Sequence, residues 1–274
     1  MGYAAILVHV RADKDSERSL ACACALAKTF DAALIGVGAE MFAPLAPDYG
    51  YYALQGEWFG IMRKAADENL ERARKTFNAV TAGLGKPTLW ESGLRLPIEA
   101  IAEASRGADL IVAGRARRPS EGPYEVASTG ELVIASGRPV LVTPSKGAPL
   151  AGEHVVLAWK DTREARRAMS DAMPFFVRAK AVLVLEICGK DDVADAEIRT
   201  RDVAAALKRH GVTATPKVVE GHGDAHHLGQ EADAFGADLI VAGGYGHTRL
   251  GEWVFGGVTH DLLGRDKHYV LLSH

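Results

Sequence analysis

Gly107-Ala108-Asp109-Leu110-Ile111-Val112-Ala113-Gly114 returns unchanged as Gly236-Ala237-Asp238-Leu239-Ile240-Val241-Ala242-Gly243, 129 positions later (236 − 107 = 129). Eight identical residues mark an internal repeat. The segment is a short apolar run bounded by glycines, which reads as a strand buried on both faces. Ala4 to Val10 is another apolar run that enters a polar turn, and His154 to Trp159 does the same. Setting Val10 against Trp159 gives an offset of 149, so the first copy carries 20 extra residues (149 − 129 = 20) between these landmarks. Met41 to Gly60, rich in Tyr, Pro and Gly, has no counterpart in the second copy and is the expected place of the insertion. Its aromatics Phe42, Tyr49, Tyr51, Tyr52, Trp58 and Phe59 point to a segment that packs against something.

In each copy, short apolar runs alternate with longer helix-like stretches. The expected strands are 4–10, 33–38, 88–91, 109–113 and 139–143 in the first copy. In the second they are 154–159, 181–187, 215–220, 238–242 and 269–272. Helix patterns such as Ser16 to Thr29 and Arg163 to Val177 lie between them, with Asp15/Ser16 and Asp161/Thr162 as expected N-caps. Strands rich in Val, Ile and Leu, separated by helices, require a mainly parallel sheet covered on both faces. Right-handed crossovers then make each copy a doubly wound α/β domain with a five-stranded, Rossmann-like sheet. The expected domains are 1–147 and 153–274, with Lys146 to Gly152 as the linker.

Composition removes several function classes. At roughly 150 residues per domain, 274 residues fit about two domains. Lys and Arg total 32 against 35 Asp and Glu, a net charge of −3, so no positive excess exists to drive nucleic-acid binding. Cys22, Cys24 and Cys188 are too few for a disulfide framework and read as small buried thiols in a reducing compartment. No apolar run approaches the roughly 18 residues of a membrane span. Met1-Gly2-Tyr3 runs into Ala4 to Val8 without a basic segment, so a cytoplasmic protein without a signal peptide is expected.

Ligands of doubly wound sheets bind beyond the carboxyl ends of the strands, where strand order reverses. After the fourth strand of the second copy comes Gly243-Gly244-Tyr245-Gly246, and after nine further residues Gly256-Gly257-Val258-Thr259. Glycines there let backbone approach a ligand, and their amide hydrogens can form an anion-binding nest at the start of a helix. That spacing, G-x-x-G, nine residues, then G-[S/T], resembles the nucleotide-binding motif of the universal stress protein family. The resemblance covers nearly the whole chain as two family domains in tandem. It is strongest in the second copy, which adds Trp159-Lys160-Asp161-Thr162-Arg163-Glu164-Ala165 after the first strand and Val219-Glu220-Gly221 before a helix.

The resemblance implies a pocket for ATP or another adenine nucleotide, with Mg as a candidate companion, between the first and fourth strands. Adenosine would lie near Trp159, Lys160 and Asp161. The phosphates would lie over Gly243, Gly246, His247, Arg249, Gly256, Gly257, Val258 and Thr259. It also implies a role in stress response or signalling rather than fast catalysis. The sequence departs from the family pattern in two places. Gly257 stands where the family has Ser or Thr, which removes one hydrogen bond of about 1 kcal/mol, and Thr259 is the candidate to replace it. Lys160 stands at the family's acidic position, with Asp161 beside it.

In the first copy the motif is degenerate. Gly114-Arg115-Ala116-Arg117 lacks the second glycine, Ala127-Ser128 replaces Gly256-Gly257, and Arg11 takes the acidic position. Arg115, Arg117 and Arg118 read as solvated loop residues. His222, His226 and His227 around Gly223-Asp224 read as a helix start rather than a metal site. No nucleophile elbow, Walker-type Gly-Lys-Ser/Thr loop or HExxH occurs, so no catalytic residue is named and any ATP hydrolysis would be slow. Signatures of an adenylate-forming enzyme are missing as well. The competing reading is a nucleotide-free interaction module. In it Pro139 to Thr143 and Tyr269 to Ser273 pair as edge strands to give a pseudo-dimer, which can dimerise further or bind a protein partner.

Overall fold

The computed structural model describes residues 2–42, 55–114, 124, 126–221, 225–244, 262 and 267–274, with backbone alone at 14, 15, 55 and 225. Contacts divide the chain into two compact units, Gly2–Ser136 and Gly137–His274. The first contains β1 (Ala5–His9), α1 (Lys14–Phe30), β2 (Ala33–Glu40), α2 (Gln55–Thr81), β3 (Thr88–Leu94), α3 (Pro97–Ala104), β4 (Leu110–Ala113) and α4 (Thr129–Ser136). Its strands lie in the order β3-β2-β1-β4, all parallel.

The second unit contains β5 (Val140–Val142), β6 (His154–Ala158), α5 (Arg163–Asp171), α6 (Met173–Phe176), β7 (Ala181–Cys188) and α7 (Val193–Arg209). β8 (Ala214–Glu220), α8 (Ala225–Phe235), β9 (Leu239–Gly243) and β10 (Tyr269–Ser273) complete it. Strand order is β5-β10-β9-β6-β7-β8, parallel throughout except for β5, which runs antiparallel to β10 with Leu141 opposite Leu271. The expected strands therefore form. The fold is α/β, with mostly parallel sheets and helices in the crossovers.

The two sequence offsets reappear in strand register. Ile6 of β1 faces Leu110 of β4, and Val155 of β6 faces Leu239 of β9, so both sequence offsets (155 − 6 = 149 and 239 − 110 = 129) meet in one strand pair. The repeated acid also does the same work twice. Asp109 Oδ2 accepts from the amides of Ala4 and Ala5 at 2.7 and 3.1 Å, and Asp238 accepts from those of Glu153 and His154 at 3.0 and 3.3 Å. Each carboxylate thus satisfies two amides at the entrance of the central strand that the ladder leaves unpaired. Beyond that entrance Ile6, Leu7, Val8, Val155, Val156 and Leu157 are fully buried, as a sheet covered on both faces demands.

One N-cap differs from expectation. α1 is capped by Asp13, whose Oδ1 accepts from the Ser16 amide at 2.9 Å, and not by Asp15 or Ser16. The Ser16 hydroxyl is engaged one turn back, donating to the Arg11 carbonyl at 3.0 Å and accepting from the Arg11 amide. This bond closes the turn out of β1 and moves the helix start upstream. α5 is capped by Thr162, with Asp161 just ahead of it.

Of the insertion, residues 43–54 lie outside the described residues. The rings of Phe42, Trp58 and Phe59 meet edge to face with centroids 5.1 to 5.8 Å apart. All three cysteines are free and buried, and burial pushes the Cys22 thiol up to about 12. Among the described residues no helix is long and apolar enough to cross a membrane.

Candidate functional site

In the second unit β6 lies between β7 and β9, so strand order reverses at its carboxyl end. That crevice is where doubly wound sheets take ligands. The chain leaves β6 through Trp159, whose amide still donates to the Leu185 carbonyl at 2.8 Å. The Trp159 side chain is 8% exposed, and its buried indole Nε1–H has no hydrogen-bond partner among the described residues. Lys160 and Asp161 are exposed. The Lys160 carbonyl accepts from the Thr162 amide at 2.6 Å, and the Asp161 carboxylate accepts from the Arg166 guanidinium. Thr162 Oγ1 in turn accepts from the Ala165 amide at 3.3 Å and starts α5.

The next strand ends at Gly243, one residue past the Ala158–Ala242 pair and opposite Ser273. Here α5 approaches the sheet so closely that a Cβ on Gly243 would sit 2.6 Å from the Ala165 amide nitrogen and 2.7 Å from the Glu164 carbonyl carbon. No side chain fits. Gly114, the equivalent in the first unit, has ordinary space: a Cβ there would lie 3.5 Å from Ser19 Oγ. The Gly244 amide donates to the Ser273 carbonyl at 2.8 Å and so belongs to the sheet, not to an open nest. Ser273 Oγ is buried without a partner among the described residues. Among the described residues, an unpartnered indole N–H thus lies just past the end of β6 and an unpartnered hydroxyl on β10, the two strands that flank Gly243.

Glu164, in the first turn of α5, is 3% exposed. Burial opposes its ionisation, but hydrogen bonds from the Arg163 side chain, its own amide and the Thr162 hydroxyl outweigh that cost. Its carboxyl is held below the usual glutamate value. The helix start is where a negative charge is best stabilised, so the carboxylate occupies the natural anion position of α5.

The fold thus brings Trp159, Lys160, Asp161 and Gly243 to one edge of the sheet. Gly246, His247, Arg249, Gly256, Gly257, Val258 and Thr259 lie outside the described residues, as do Tyr245, His222 and Asp224. His226 and His227 begin α8 with ring centroids 6.1 Å apart. Among the described residues no three His, Cys, Asp or Glu side chains are grouped to hold a metal ion.

The corresponding edge of the first unit is built differently. Arg11 donates from Nε to Asp13 Oδ2 at 2.6 Å, so its charge is matched within the turn. Ser128 starts α4 with a reciprocal pair of bonds. Its hydroxyl accepts from the Glu131 amide at 3.2 Å, and Glu131 Oε2 accepts in return from the Ser128 amide at 3.3 Å and from its hydroxyl at 2.7 Å. That is a capping box, and it explains a hydroxyl otherwise readable as a phosphate donor. Arg115, Arg117 and Arg118 lie outside the described residues. At the end of β1, His9 has a buried Nε2 without a partner among the described residues, and burial with the Arg11 charge lowers the ring's pKa to about 4.

Sequence reasoning passed over Glu164 and His9. A glutamate in a helix's first turn normally reads as solvated, and only the close approach at Gly243 buries this one. The Ser128-x-x-Glu131 pattern was a readable signal for the α4 cap.

Residues 153–274 match the model of the universal stress protein family. A universal stress protein from Archaeoglobus fulgidus DSM 4304 superposes with a TM-score of 0.72 at 14% identity, over 98% of this chain and 97% of that one. A functionally unknown protein from Pseudomonas aeruginosa PAO1 gives a TM-score of 0.62 at 17% identity, over 99% and 92% of the two chains. No curated protein matches the sequence. At these identities the structural likeness establishes the fold of the whole chain, and the family model covers its C-terminal part. Residues 153–274 are thus the part of the chain that is similar to the universal stress protein family.

Proposed function

We propose that the second half of the chain binds an adenine nucleotide of the ATP class beyond the carboxyl ends of β6 and β9, and that the protein acts in stress response or signalling rather than as a fast enzyme. The observation that carries this reading is the position of Gly243. It ends β9 beside the switch point, inside a universal stress protein domain, and opens the spacing Gly243-x-x-Gly246, nine residues, Gly256-Gly257. Trp159, Lys160 and Asp161 would face the adenosine. Gly246, His247, Arg249, Gly256, Gly257, Val258 and Thr259 would face the phosphates, and Mg would accompany them. The protein is read as two domains of one kind, 1–147 and 153–274, working in the cytoplasm, with the nucleotide site in the second.

Thermal denaturation tests this. Millimolar ATP with Mg should raise the melting temperature of the wild-type protein, because a ligand that binds only the folded state stabilises it. Gly246→Val should abolish the shift, since a branched side chain crowds the phosphate path. An unchanged shift in the variant would put the ligand elsewhere.

The antiparallel pairing of β5 with β10 favours a second reading, the nucleotide-free interaction module. β5 is the last strand of the first series and β10 the last of the second, so this pairing closes two edges that would otherwise expose backbone groups. The module would then present its surface, the 41–60 segment included, to a protein partner or to a second copy. No melting shift with ATP and Mg, together with no nucleotide in the purified protein, would select it.

A further inference from the structure

We infer that the first unit encloses a small binding site at its own switch point, one that takes an uncharged molecule bearing an N–H or O–H donor and turns nucleotides away. β1 lies between β2 and β4, so the crevice of this unit opens beyond His9, the last residue of β1. Two observations meet there. The Met41 amide, one residue past β2, donates at 3.0 Å to the carbonyl of Tyr124, in the connection between β4 and α4. That bond joins the two segments that flank the end of β1, and so clasps the mouth of the crevice. In the second unit the tie at the matching strand end points away from the switch point. There the Cys188 carbonyl, which ends β7, accepts from the Gly221 amide just past β8 at 2.9 Å.

The second observation is His9 itself. Its ring makes a hydrogen bond to the Ala39 backbone that favours the protonated form, so one ring nitrogen donates to that carbonyl, two residues before Met41. The other nitrogen, Nε2, is buried without a partner among the described residues. The ring is neutral at pH 7, because burial and the Arg11 charge bring it down to about 4, and Nε2 is therefore a bare lone pair. A buried acceptor left unpaired is costly, and an occupant that brings a donor relieves it. Ala158 stands in this place in the second unit (158 − 9 = 149), so the clasp and the acceptor belong to the same edge of the same unit. Anions are poorly served here. Arg11 is matched by Asp13, the Ser128 hydroxyl is held by Glu131, and the Nε2 lone pair repels a phosphate oxygen.

The test follows the His9 ring in the full chain by nitrogen NMR, with phenol as the donor probe and toluene as its isostere. Millimolar phenol should move the Nε2 resonance, toluene should bind about fivefold or more weakly, and ATP with Mg should leave the resonance in place. Diethylpyrocarbonate should modify the exposed His210 well before His9. Met41→Pro, which deletes the donor of the clasp, should weaken phenol several-fold and open His9 to the reagent. His9→Leu should abolish the preference for phenol over toluene. If Met41→Pro does not fold, the probe ranking and His9→Leu decide. The inference is overturned if phenol and toluene act alike, if neither moves Nε2 and an internal water is its only partner, or if ATP with Mg moves it.

Discussion

Lowering the pH from neutral to about 5 should weaken the first unit by about 2 kcal/mol through His9 alone. Burial, then the charge of Arg11, brings this ring from its ordinary 6.5 down to about 4, against the opposing pull of a hydrogen bond to the Ala39 backbone and of Asp13. Between those two values the unfolded chain holds the proton and the folded chain does not. Stability is therefore full above 6.5, falls as the pH is lowered through the window, and levels off below about 4. Two and a half pKa units amount to about 3 kcal/mol across the whole window. Glu164 and Asp233, whose carboxyls are held below their usual values, lose their contributions at still lower pH.

Hydrogen exchange of the β1 amides, corrected for intrinsic rates, reads the opening free energy in that unit. Wild-type protection should fall between pH 7 and 5, and His9→Gln should flatten the slope. Equal slopes in wild type and variant, or a His9 resonance titrating near its ordinary value, would refute the reasoning.

Three other substitutions separate the halves. Gly243→Ala should cost about 1–3 kcal/mol in urea unfolding, because the new methyl meets backbone of α5 that cannot yield. Gly114→Ala should stay within about 0.5 kcal/mol, its neighbour being the tip of Ser19 at ordinary distance. Ser128→Ala should cost about 1 kcal/mol by removing the α4 cap, and should leave any melting shift with ATP and Mg unaltered.

Much of the fold was legible because apolar runs and the repeat report the same thing. The two offsets found by setting Val10 against Trp159 and Gly107 against Gly236 reappear in the pairing of β1 with β4 and of β6 with β9. Local chemistry was harder to read where neighbours compete for one polar group. Ser16 is a good N-cap residue by type, yet its hydroxyl is drawn to Arg11, and Asp13 takes the cap. Site features that depend on approach between elements left little trace. Nothing in Thr162-Arg163-Glu164 signals that Glu164 is buried, since the cause is a helix resting on a glycine of another strand. His9 is likewise one histidine at a strand end until its buried Nε2 is seen.

The most direct measurement is of nucleotide carried by the protein itself. Protein purified without added nucleotide, extracted with acid and resolved by ion-pair chromatography, should release an adenine nucleotide in the wild type and none in Gly246→Val. A wild-type extract free of adenine nucleotide, from protein whose melting temperature ignores millimolar ATP with Mg, would contradict the account.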